Sequence, residues 1–333
     1  MITEKFKQIP IFSEFDVIDA PEVVGTYETF DVFNFAPDHP ARSKSDTYFV
    51  NEEKILRTHT TIMRWYYLWY PGIKEKLAQE GEVGALCHGK VYRKDEIDRS
   101  HSPIFHQIDG LYICKKEKKI LGRQDLVDVL ITMAKAVYGE KIERRVNDDS
   151  FPYTDPSVEM EIKFGDARLE VLWAGVVHPK VLDNLWVDST VYNGRAFGPG
   201  IERLAMIKMS IPDIRILRST DPRITKQRGN LDATYQEVSK YPSTYRDISF
   251  LVSKQVSLNS YYEIIRDEAG DLVEEVQLLD TYENDVKFWV DIISYTFRII
   301  YRSHERTLVN DEINEIQLKI RQKTEELLWA QLR

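Results

Sequence analysis

The stretch Arg99-Ser-His-Ser-Pro-Ile-Phe-His-Gln-Ile-Asp-Gly110 places His101, His106, Gln107 and Asp109 within nine residues, with Phe105 among them. Such residues could hold a metal, run acid–base chemistry, or line a ligand site. The metal reading is the weakest. On extended backbone the two histidines, five apart, point to opposite faces. No third ligand stands near enough to complete a zinc-type set. On a strand Phe105, Gln107 and Asp109 share one face, and Ile104, His106 and Ile108 share the other. An aromatic plate, an amide and a carboxylate on one face suit a planar or zwitterionic ligand. An amphipathic strand with one solvated side would show the same pattern.

Two arginines add to this face. Arg93 ends a second apolar run, "VGALCHGKVYR", whose partner strand would be the Phe105 run. A guanidinium beside an aromatic plate suits a nucleotide, with arginine on phosphate and phenylalanine on the base. The competing reading of Arg93 is a surface ion pair with Asp95 or Glu96. Arg203 lies one turn into an apolar helix that follows Gly198-Pro199-Gly200. Arginine in that position either reaches for an anion or snorkels to water. The two glycines permit close backbone approach, although a lone glycine pair before a helix is a weak signal.

The elements that must position these groups can be read coarsely. Residues 1–55 read as irregular chain and short strands, broken by Pro21, Gly25, Pro37 and Pro40. Residues 56–80 read as a helix interrupted at Pro71-Gly72. The runs 83–93 and 103–114 form a long hairpin around the polar loop 94–102. Apolar spacing predicts a helix over 123–138, stopped by Gly139. The runs 145–165 and 167–177 are strand-like, and 197–209 is a glycine-flanked turn opening an amphipathic helix. The polar, weakly periodic run 219–240 reads as a linker. Beyond it come a strand (245–253), a helix (258–270), two strands (272–284 and 293–303) and a helix (310–332), the pattern of a split βαβ sandwich.

A chain of 333 residues fits two domains, here 1–218 and 241–333. With 43% hydrophobic residues it can bury a substantial core. No apolar run approaches the ~18–20 residues that span a bilayer. The start, MITEKFKQIP, lacks the apolar centre of a secretory signal and the Arg/Ser richness of a transit peptide. The two cysteines, Cys87 and Cys114, form no CxxC. A reducing, cytosolic compartment is the expectation. The net charge of −9 runs against a general polynucleotide binder, which usually carries a basic excess.

Three segments in combination are far more specific. "KVYRKDEIDRSHSPIFHQIDG" resembles motif 2 of the class II aminoacyl-tRNA synthetases, and "GRAFGPGIERLAMIKMSIPDIR" resembles their motif 3. With "DHPARSKSDTYFV", "LRTHTT" and "FPYTDPSVEME", the resemblance narrows to the phenylalanyl-tRNA synthetase family. The run from "YPSTYRDISF" to "SYTFRIIYRSHERTL" resembles the ferredoxin-fold anticodon-binding domain of those enzymes. Both parts on one chain resemble the single-chain, organellar-type form. The resemblance covers about residues 25–330.

The resemblance implies an α+β fold: an antiparallel synthetase sheet flanked by helices, plus a small ferredoxin-like α+β sandwich. It implies ATP and Mg2+, with phenylalanine and tRNA(Phe) as partners, and aminoacyl transfer to the 2′-OH of the tRNA terminus. By resemblance Arg93 grips the α-phosphate, Phe105 stacks on adenine, His101 lies near the phosphates and Arg203 holds the far phosphates. Glu170 matches a carboxylate near the ATP–magnesium site. His59, Thr61, Gln107 and Asp109 surround the amino and carboxylate groups of phenylalanine. Phe151, Tyr153, Ala196 and Gly198 line its side-chain pocket. The chain departs from the family pattern at Asp109, usually glutamate, at Tyr153, usually phenylalanine, and at Trp173, usually a small residue. A short or missing motif-1 helix implies a monomer.

A rival reading is an adenylating paralogue that no longer charges tRNA. Residues 241–333 hold 11 Lys and Arg against 17 Asp and Glu, a net charge of −6. Within them Arg246, Arg298, Arg302, Arg306 and Lys319 are the candidate tRNA phosphate contacts; balancing the acidic surface is their alternative role. A non-catalytic RNA-binding module is disfavoured by the retention of both motif arginines.

Overall fold

The computed structural model describes residues 2–284 and 291–333. It falls into two compact units, Met1–Gln236 and Glu237–Arg333.

The first unit is built on a seven-stranded sheet. Its strands are β1 (Asp16–Ile18), β4 (Glu82–Tyr92), β5 (Ile104–Lys115), β6 (Arg144–Phe151), β7 (Thr154–Phe164), β8 (Ala167–Val177) and β9 (Tyr192–Pro199). The order across the sheet is β1-β4-β5-β9-β8-β7-β6. Only β1–β4 is parallel, and every other pair is antiparallel. A separate two-stranded ribbon joins β2 (Val23–Gly25) to β3 (Lys54–Leu56).

Apolar side chains leave both faces of the sheet, as a doubly covered sheet requires. On one face Leu86, Ile108, Ala174 and Phe197 pack with Leu126, Leu130 and Met133 of α4 (Arg123–Tyr138) and Leu204 of α6 (Ile201–Met209). On the other, Cys87, Leu111 and Ala196 pack with Met63, Tyr67 and Leu68 of α2 (Met63–Trp69) and Leu77 of α3 (Ile73–Glu80). The sheet admits bulk by omitting it elsewhere. A β-carbon at Gly110 of β5 would collide with the Phe197 ring on the neighbouring strand β9.

Two readings of the sequence stand as drawn: α4 spans the predicted positions, and the hairpin β4–β5 closes around the loop 93–103. Four differ. The run 56–62 is not helical; the chain leaves β3, is extended at His59, and makes one 3-10 turn over Thr60–Ile62 before α2. The run 145–165 is a hairpin of two strands, turned at Pro152-Tyr153. Residues Ile2–Lys7 form a short helix, α1. The last helix stops at Leu328, as described next.

The second unit pairs β10 (Thr244–Ser253), β11 (Val273–Tyr282), β12 (Ile292–Tyr301) and β13 (Gln331–Leu332) in the order β11-β12-β10-β13. With α8 (Leu258–Ala269) and α9 (Asn310–Leu328) this is the βαββαβ order of the ferredoxin-like sandwich. The chain turns out of α9 at Trp329, whose φ of 51° is left-handed, and so returns β13 to the edge of β10. The core is Ile248, Phe250, Tyr261, Ile265, Phe297, Ile299, Ile313 and Ile320. All of these residues belong to the second unit.

Candidate active site

A cleft of about 400 Å³ opens over the centre of the first sheet. Strand β5 contributes Phe105 and Gln107, residues two apart and therefore on one face. Arg93 leaves the end of β4 beside them. Its guanidinium carbon sits 5.1 Å from the Phe105 ring centre, and its Nε donates to the Thr58 carbonyl at 3.1 Å. It makes no ion pair among the described residues; Asp95 acts on it only through space. The guanidinium is therefore fixed, desolvated and without a contacting counter-ion among the described residues.

A second cation faces the first. Helix α6 starts at Ile201, after Gly200, and projects Arg203 into the cleft. Arg203 Nη1 donates to the Glu170 carbonyl at 3.2 Å and lies 3.7 Å from the Glu170 carboxylate. Burial raises the pKa of Glu170, with Arg203 acting against it. The His101 ring hydrogen-bonds Asp98 through Nδ1 at 2.9 Å, and its Nε2 stands 3.4 Å from Arg203 Nη2. Donation from Nδ1–H to Asp98 leaves the Nε2 lone pair to accept from the arginine. His106, in contrast, turns away from the cleft face and pairs with Glu202 at 2.7 Å. The Glu202 carboxylate also accepts from the His106 backbone at 2.8 Å, and so ties α6 to β5. Among the described residues no His, Cys, Asp and Glu gather as a three-ligand metal cluster.

The opposite end of the cleft is neutral and aromatic. His59, Thr61, Phe151, Tyr153, Trp173 and Gly198 line it. His59 is buried, and neither ring nitrogen has a hydrogen-bond partner among the described residues. Burial first, then the Arg93 and Arg64 charges, pull its pKa down to about 3. A neutral imidazole follows, with one donor and one acceptor left for a ligand. His59 should accordingly show no titration in a pH series of its ring NMR signals between pH 5 and 9. Its charge, and any binding that depends on it, changes only below that range. A midpoint near the ordinary histidine value of ~6.5 would contradict this.

Two expected cleft residues stand behind the wall. Asp109 is buried, accepts from Thr61 Oγ1 at 2.7 Å and pairs with Arg64 Nη2 at 3.3 Å. Burial pushes its carboxyl pKa up, opposed by Arg64 and Thr61. Ala196 is fully buried in the apolar core beneath Trp173. Arg64 was not foreseen at all. It lies fully buried, with its guanidinium carbon 5.7–5.9 Å from the rings of Tyr153, Phe33 and Trp173. The signal was available: Arg64 is the only charge in the apolar run "IMRWYYLW".

In the second unit Arg298 forms a double contact with Asp247 at 2.8 Å, Arg302 binds Glu274 at 2.9 Å and Arg306 binds Glu312. Arg246 donates to Asn314 and Asn310. Lys319 has no ion pair among the described residues. Three of these five cations are thus paired with carboxylates.

The family of tRNA synthetases class II core domain (F) matches residues 1–228, and the ferredoxin-fold anticodon binding domain matches residues 239–333. The chloroplastic/mitochondrial phenylalanine–tRNA ligase of Arabidopsis thaliana is 37% identical over 332 residues, covering 97% of this chain and 73% of its own. The mitochondrial phenylalanine–tRNA ligase of Mus musculus is 34% identical, covering 97% and 76%. Among solved structures, the PylSc pyrrolysyl-tRNA synthetase of Desulfitobacterium hafniense has a TM-score of 0.48 at 18% identity, covering 64% of this chain and 70% of its own.

Proposed function

The chain belongs to the class II tRNA synthetases, on their phenylalanine–tRNA ligase branch, and we propose that the cleft over its first sheet is where phenylalanine meets ATP. Its function is that of a phenylalanine–tRNA ligase, which uses ATP to activate the amino acid and then charges tRNA. The adenylating paralogue without tRNA charging is not favoured, because named ligases match through both units. A cytosolic location, expected from the N-terminus and the cysteines, is corrected: the plant and animal relatives carry chloroplastic or mitochondrial names, which point to an organelle.

One observation carries the residue assignment. Arg93, without a counter-ion, and Arg203 face a single cleft whose other end holds a neutral, unpartnered imidazole and a set of rings. The cationic end suits ATP: Arg93 for the α-phosphate, Arg203 and His101 for the outer phosphates, Phe105 for the base. The neutral end suits the amino acid. Thr61, Gln107 and His59 meet its polar groups, Asp109 acts from behind through Thr61, and Phe151, Tyr153 and Gly198 meet the ring. The phenylalanine carboxylate is ionised at neutral pH and attacks the α-phosphorus without a protein nucleophile or base. The chain's part is alignment and charge stabilisation by two fixed guanidiniums. Glu170 offers a carboxylate at the phosphate end, and Mg2+ held through ATP phosphates takes only one or two protein carboxylates. When bound, that ion would offset phosphate charge. A monomer is the working assembly.

The test is phenylalanine-dependent pyrophosphate exchange followed by charging of total tRNA. A chain of residues 1–236 should separate the two steps. The first unit holds every cleft residue and its own core, so exchange should persist within about threefold while charging falls by roughly an order of magnitude or more, as expected when a second, linked binding contact is lost. Full charging by the shortened chain would show the second unit to be dispensable. Loss of exchange would make it part of the catalytic core.

A further inference from the structure

We propose that Trp173, not Ala196, is the end wall of the amino-acid pocket and sets the largest side chain that it admits. The inference rests on the reading of the aromatic end of the cleft as the phenylalanine site.

Strands β8 and β9 run antiparallel, with Trp173 opposite Gly198 and Gly175 opposite Ala196. Glu170, at the phosphate end, precedes Trp173 on β8, while Gly200, which lines the cleft, lies just beyond Gly198 and the end of β9. Moving away from the two arginines one therefore meets the Trp173–Gly198 rung first and the Gly175–Ala196 rung second. The indole lies over the Gly198 backbone: a β-carbon at 198 would come within 3.1 Å of its Nε1 and 2.9 Å of the Ile108 carbonyl. Ala196, one rung deeper on the same face, is thereby cut off and carries no exposed surface.

The indole is held on several sides. Its ring centre lies 5.5 Å from Phe151 and 5.8 Å from Tyr153, and these two are stacked at 5.6 Å. Arg64, paired with Asp109 and fully buried, stands over the indole at 5.9 Å. Rings at these separations touch one another, so they leave no slot for a further ring among the three. A substrate ring must lie on the cleft side of Trp173. Anything projecting from its para position meets the indole, and a packed wall of this kind does not yield without strain.

The experiment compares the full-length chain with its Trp173→Ala, Trp173→Phe and Ala196→Gly variants in pyrophosphate exchange with phenylalanine, tyrosine and para-chlorophenylalanine. Thermal melts check each fold. Trp173→Ala should raise kcat/KM for the two para-substituted substrates relative to phenylalanine by about tenfold or more, within the ~10–200-fold range that one buried group can discriminate. Trp173→Phe should give a smaller gain of the same sign and serves if the alanine variant does not fold. Ala196→Gly should leave the ratio within about twofold. Unchanged ratios in both Trp173 variants, or a larger gain from Ala196→Gly, would overturn the proposal. If the wild type does not activate phenylalanine but Trp173→Ala does, the phenylalanine reading of the wild type fails while the end wall stands.

Discussion

Arg93→Ala lowers pyrophosphate exchange by about 10³-fold with the fold intact, on the scale of losing one charge-stabilising group from a phosphoryl-transfer or oxyanion site. The size follows from three facts about that side chain. No counter-ion contacts it among the described residues, so its charge is free for a phosphate. Its Nε is tied to the Thr58 carbonyl, so its direction is set before substrate arrives. It is desolvated and stacked over Phe105, so water does not dilute its field. Removing it costs the folded chain about 2 kcal/mol, the scale of a desolvated cation over a ring, which leaves the fold intact. Exchange assays paired with thermal melts separate the two effects. Arg93→Lys should recover only a small part, because an ammonium has no planar fork to place on a phosphate. Exchange near wild-type levels in Arg93→Ala would remove the arginine from the reaction.

Arg64→Met gives the opposite signature: a large loss of stability from a residue that touches no substrate. Arg64 and Asp109 are both buried, and breaking a buried pair by removing one partner costs about 3–5 kcal/mol, because the remaining charge is left uncompensated. The double variant Arg64→Met/Asp109→Asn should recover most of that loss. The pH dependence has a definite sign. Burial raises the Asp109 pKa in the folded chain, so its contribution to stability is greatest below the unfolded carboxylate value and is lost as pH rises through the folded one. Arg64 opposes that rise, and without it the folded value climbs further. Urea melts of Arg64→Met against wild type should therefore differ most above the folded Asp109 value and converge as pH falls through it and the carboxylate takes up its proton. A pH-independent difference would mean that lost packing, not charge, dominates.

The parts of this molecule that could be read from its sequence are those set by local pattern. Helix α4 carries its apolar period, starts on a backbone donor satisfied by Asp125 and stops at Gly139. The half of the β4–β5 hairpin next to its loop alternates in burial, and it carries Arg93, Phe105 and Gln107 to one place. The parts that escaped depend on contacts distant in sequence. The run 56–62 has helix-compatible residues, but Arg57 is drawn inward to the carbonyls of Ala20 and Lys90, which holds His59 extended. Strand β13 is defined by pairing two residues with the edge of β10, a contact that no local pattern announces. Asp109 shares its strand face with Phe105 and Gln107, as alternation required. Alternation could not say that Arg64, 45 positions away, would claim it behind the wall.

The collision between a β-carbon at 110 and the ring of Phe197 has a consequence at the level of the gene. Every encoded residue except glycine carries a β-carbon, so no missense change at codon 110 spares the contact, whichever base is altered. Codon 197 has more latitude, since replacing phenylalanine by a smaller apolar residue opens a cavity but creates no clash. The two sites are thus coupled: a side chain at 110 requires the 197 ring to move or to be replaced by something smaller, so changes at 110 are best tolerated beside a smaller residue at 197.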